Sequence, residues 1–84
     1  MIPTGVFKVD VYTCYASQLP TNGKVNVVLV DTFPLLQAER AASKVGRLLG
    51  SSGVRLGRLE TGRGTMYSCM VTDVPVEELE KWLD

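Results

Sequence analysis

Residues 24–50 read KVNVVLVDTFPLLQAERAASKVGRLLG, a strand that runs straight into a helix. Val25, Val27, Val28, Leu29 and Val30 are nearly continuous, and a strand apolar on both sides belongs at the centre of a sheet. Asp31-Thr32 then offers a capping oxygen, Pro34 suits a first turn, and Gly50 suits the position just past a helix end. Between them Leu35, Ala38, Ala42, Val45 and Leu49 recur at spacings of three and four, which predicts one apolar stripe on the helix.

Upstream, residues 6–15 (VFKVDVYTCY) alternate, with Phe7, Val9 and Val11 on one side and Lys8, Asp10 and Tyr12 on the other. A period of two predicts a single half-buried strand. Residues 16–23 collect turn formers, with Pro20 and Asn22-Gly23 marking a reversal, so the two strands form a hairpin with a long loop.

Downstream, Gly50-Ser-Ser-Gly53 is a loop, Val54–Glu60 a third strand, Thr61–Gly64 a turn and Thr65–Thr72 a fourth strand. Asp73 and Pro75 open a short terminal helix whose inward positions are Val76, Leu79 and Trp82 or Leu83. The predicted class is α+β, order ββαββα: a four-stranded antiparallel sheet with two helices packed on one face, residues 1–84 making a single domain. Val30-Asp-Thr-Phe-Pro34 echoes Val71-Thr-Asp-Val-Pro75, a repeated way of passing from strand to helix.

Composition narrows the function classes. The chain has 84 residues, 45% hydrophobic and 21% charged, which suits a small globular core rather than disorder. It has no histidine, hence no imidazole base or metal ligand. The two cysteines, Cys14 and Cys69, share no zinc spacing and fall inside strand-like runs, where thiols pack as small hydrophobes. A cross-strand disulfide would need an oxidising compartment. The N-terminal residues carry no basic, apolar leader pattern, and the longest apolar run, Val27–Val30, is far short of a membrane span. The expectation is a cytoplasmic protein with no membrane, metal or cofactor.

Catalytic raw material is thin. Gly57–Gly64 contains a G-x-x-x-x-G spacing, but Arg63 and Gly64 stand where a phosphate loop needs Lys and Ser or Thr, and no helix follows. Asp31 and Asp73 read as helix caps. Ser51, Ser52 and Ser68 have no base beside them in sequence. The expectation is that the chain is not an enzyme.

Charge says more. Lys plus Arg and Asp plus Glu are equal at nine each, yet residues 40–63 carry six cations against Glu60, while residues 73–84 carry five acids against Lys81. Arg40, Lys44 and Arg47 follow i, i+4, i+7 and form an outward helix stripe; with Arg63 they are the candidate polyanion contacts. A bulge at Gly57-Arg58 would turn Arg55 and Arg58 together onto the open face of the sheet.

That open face is the candidate site. Two short helices cover one side of four strands and leave the other bare, and it mixes aromatic, aliphatic and arginine residues as interfaces do. The residues assigned to it are Tyr12, Val28, Val30, Arg55, Arg58 and Tyr67. The function expected is a small protein-binding module, inhibitor or adaptor, taking a protein partner or a second copy as a homodimer. One alternative is a nucleic-acid binder using Arg55, Arg58 and Arg63 with Tyr12 or Tyr67 as stacking platforms. Another is a cysteine-dependent enzyme or redox protein, which needs an exposed low-pKa thiol at Cys14 or Cys69.

Overall fold

A computed structural model describes residues 5–16 and 22–83. The elements are β1 (Val6–Val9), β2 (Tyr12–Ala16), β3 (Lys24–Leu29), α1 (Leu35–Leu48), β4 (Gly53–Thr61), β5 (Gly64–Pro75) and α2 (Val76–Leu79). The strands form one sheet in the order β1-β2-β3-β5-β4, and every neighbouring pair is antiparallel. The α+β class with an antiparallel sheet holds. Four strands in the order ββαββα are corrected to five in the order βββαββα.

The extra strand comes from Asp10. Its φ of 55° places it in the left-handed region, and the chain reverses at Asp10-Val11, so that Val9 pairs with Tyr12 and Phe7 with Cys14. Asp tolerates this backbone region better than most residues. The alternation of residues 6–15 is therefore two short strands folded against each other. Across β2, the near-continuous β3 takes the central place its composition predicted. Asn22 and Gly23 both have positive φ, 53° and 73°, as a reversal there requires. The remainder of the expected loop, including Pro20, lies outside the described residues.

Neither aspartate caps a helix. The N-caps of α1 and α2 are Pro34 and Pro75, without side-chain cap bonds; the Ala38 N–H donates to the Pro34 carbonyl at 2.8 Å. The echo between residues 30–34 and 71–75 thus reflects two strands entering helices through proline, whose fixed φ is preset for a first turn. Asp73 instead sits in the left-handed region (φ 54°), where β5 carries one residue more than β3 between two ladder pairs. Gly50, at φ 69°, ends α1 as expected.

The covered face is a dense apolar layer. Ala16, Val27, Val71 and Val54 form one row across β2, β3, β5 and β4, beside a second row of Phe7, Cys14 and Leu29. The helix α1 lies against β5 and β4 through small residues, Ala38, Ala41, Ala42 and Gly46, with Val45 and Leu49 completing its buried side. A Cβ on Gly46 would stand 3.4 Å from Val54 and 3.7 Å from Val71, so the helix backbone rides close to the strands. Leu35, expected in the stripe, is 47% exposed. The buried positions shift round to Ala41 and Gly46, a close-packing face that asks for small side chains. Leu79 of α2 is fully buried in the same core, with Val76, Trp82 and Leu83 packed at its margin.

Candidate interaction surface

Ladder register decides which residues are bare. Residues paired across antiparallel strands share a face, and successive residues alternate. Stepping one residue from the buried row gives a row on the opposite face: Val6, Tyr15, Val28, Met70 and Arg55, one from each of the five strands. Val30 continues this surface; its N–H donates to the Thr13 carbonyl at 2.8 Å, and its residue is 49% exposed. Met66 and Leu59, paired between β5 and β4, extend the surface toward the hairpin tip. No described helix lies on this side.

Cations border the apolar strip. Lys8, Lys24 and Arg55 occupy outward ladder positions on β1, β3 and β4, and the exposed Asp73 stands at the β5 bulge, its N–H donating to the Asn26 Oδ1 at 3.3 Å. Gly53 and Gly57 also point outward, leaving β4 flat beside Thr72 and Ser68; a Cβ on Gly57 would meet the Ser68 Oγ at 2.6 Å. The result is a shallow, basic-rimmed apolar floor.

Three of the six residues assigned from the sequence, Val28, Val30 and Arg55, are on this floor. The other three are on the covered side. Tyr12 pairs with inward Val9 and meets the Phe33 ring edge-on, with centroids 6.0 Å apart and planes at 78°. Tyr67 exchanges backbone hydrogen bonds with Phe33, at 2.9 and 2.7 Å, and packs on the core. Arg58 pairs with Tyr67, because β4 and β5 run in unbroken register from Gly53 to Thr61 without a bulge at Gly57-Arg58. Arg58 nevertheless stays exposed, since this end of the hairpin extends past the helices; its guanidinium bonds Glu60 at 2.8 Å. The turn at Asp10-Val11 flips the parity of everything after it, so Tyr15, not Tyr12, is the open-face tyrosine.

The alternative constellations are not assembled. Arg55 and Arg58 lie on opposite faces, and Tyr12, edge-on to Phe33, and Tyr67, packed on the core, are not offered as platforms. Of the helix stripe, Lys44 is tied to Asp10 in the β1–β2 turn, while Arg40 and Arg47 are exposed on α1 and Arg63 sits in the β4–β5 turn. Each Asp10–Lys44 charge favours the other: the hydrogen bond from Lys44 lowers the Asp10 pKa and raises its own. Both thiols are buried and free. Burial pushes Cys14 up to about 11 and raises Cys69 as well, the reverse of an activated thiolate. The Cys69 thiol donates to the Ala38 carbonyl at 3.4 Å, a structural contact between β5 and α1.

Among the described residues no helix is long and apolar enough to cross a membrane, and no three His, Cys, Asp or Glu residues form a metal-holding group. Fold and surface together define a small α+β protein whose antiparallel sheet is covered by helices on one face and, among the described residues, open on the other. Compared with protein-family models, curated proteins and solved structures, the chain matches none.

Proposed function

We propose that the chain is a small non-catalytic protein-binding module, of the inhibitor or adaptor type, whose open sheet face seats a protein partner. The observation that carries this reading is the row Val6, Tyr15, Val28, Met70 and Arg55, which crosses all five strands with no element over it among the described residues. Tyrosine, methionine and arginine are the residues that supply contact area and anchoring at interfaces. With Lys8, Lys24 and Arg55 around the strip against Asp73 at the β5 bulge, the balance is positive and the partner's complementary surface is apolar with mainly acidic flanks. Two copies laid face to face would bring these cations toward one another, so the charge pattern favours a different protein over self-association through this face.

Site-specific photo-cross-linking in native extract tests the proposal. A photoactivatable side chain at position 70 is expected to give a discrete adduct that disappears with Tyr15→Glu or Arg55→Glu. The same probe at Ser43, exposed on α1, is expected to give none. Adducts from both positions, or none from position 70, would overturn it.

A further inference from the structure

The edge of the sheet has a second, independent property. The outer strand β4 is nine residues long, contains no proline and holds a continuous register with β5, whereas the opposite edge, β1, has four residues. Long regular edges are templates for further strand pairing unless something blocks them. The Ser68 hydroxyl donates to the Gly57 carbonyl at 3.4 Å, so Gly57 turns its carbonyl inward to β5. By the antiparallel alternation, Leu56, Arg58 and Glu60 then turn their N–H and C=O groups outward to the free edge.

From this we infer that β4 pairs antiparallel with β4 of a second copy about a two-fold axis at Leu59, joining two sheets into one. A two-fold axis perpendicular to the sheet sets some residue opposite itself. Centred on Arg58 or Glu60, it would oppose like charges. Centred on Gly57, it would set Leu56 against Arg58 and Val54 against Glu60. Centred on Leu59, it sets Arg58 opposite Glu60 of the second copy, twice, with Leu59 against its own equivalent and Gly57 against Thr61.

The pairing uses residues 57–61 of each chain, at the hairpin end that projects beyond the helices; all five residues are exposed. The Arg58–Glu60 pair now within one chain, at 2.8 Å, becomes a four-charge cluster across the axis. Opposite charges on facing strand positions stabilise the pair and like charges destabilise it. The edge charges thus select this register rather than block pairing. Leu59 sits on the open-face side of β4, so the join also makes two open faces continuous.

Sedimentation velocity over a concentration series, with charge-reversed variants, tests this. The wild-type chain is expected to dimerise. Arg58→Glu and Glu60→Arg are each expected to raise the dimer dissociation constant by about tenfold or more, and the Arg58→Glu/Glu60→Arg double variant to restore it. Leu59→Cys is expected to form a symmetric disulfide dimer under mild oxidation, because facing non-hydrogen-bonded positions bring Cβ atoms close enough, while Leu56→Cys does not. A wild-type monomer at every concentration, or a dimer that survives both single reversals, would overturn the inference. Tyr15→Glu leaves this dimer intact, which separates its failure from failure of the open-face proposal.

Discussion

Two neighbouring rows of one sheet differ by a single residue of register and have opposite chemistry. Ala16, Val27, Val71 and Val54 share the covered face, with α1 seated on Val71 and Val54, while Tyr15, Val28, Met70 and Arg55 lie on the opposite side. The covered row is small and branched; Val27 and Val71 have no exposed surface, while Val54, on the edge strand, is 42% exposed. The open row is aromatic, sulfur-containing and cationic. On the proposed reading stability rests on one row and recognition on the other, so damage to each has a different signature.

The largest effect is expected from a charge in the covered row. Val27→Asp strands a carboxylate without a partner under the helix and abolishes the folded state, seen as loss of the cooperative thermal transition by circular dichroism. Leu49→Ala comes next: it removes a fully buried side chain and is expected to cost about 2–5 kcal/mol in urea denaturation. Gly46→Leu follows, because the helix backbone passes so close to Val54 and Val71 that the added side chain must push α1 away, at a cost of about 1–3 kcal/mol by the same measurement. The open row behaves otherwise. Met70→Glu is expected to change stability by less than about 1 kcal/mol, yet to remove the partner adduct formed from a probe at position 28.

The smallest effects concern pH. The Asp10 pKa is lowered in the folded chain, so the ion pair with Lys44 stabilises above the unfolded carboxylate pKa and is lost as pH falls through the folded value. Asp10→Asn is expected to flatten the acid limb of the stability–pH curve, by little, because the pair is exposed. Cys14 has the opposite sign. Its contribution is present below the ordinary thiol pKa and falls away as pH rises from about 9 toward about 11. Cys14→Ala is expected to flatten that alkaline limb, read by denaturation at several pH values.

Much of the fold was legible because burial and periodicity agree there: the central β3, the helix between Pro34 and Gly50, and the β4–β5 hairpin with its tight turn. The β1–β2 turn was not legible, because Asp10-Val11 lacks glycine and its Val11 continues the alternation while standing 71% exposed. One unread reversal changed the parity of Tyr12 and Tyr15 and moved the site's tyrosine. Arg58 failed for a different reason. No bulge at Gly57-Arg58 is needed to expose it: alternation buries a residue only where something covers it, and no described element covers the hairpin end. The side of β5 was decidable from its polar residues: Ser68 and Thr72 alternate with buried Cys69 and Val71, which puts Met70 outward and Tyr67 inward.

The division between the two rows is tested most directly by combining Tyr15→Glu and Met70→Glu in one chain carrying a photoactivatable side chain at position 28. The expected result is a cooperative melt within a few degrees of the parent and complete loss of the position-28 adduct. A chain that fails to fold, or one that folds and keeps the adduct, would contradict the assignment of recognition to the open row.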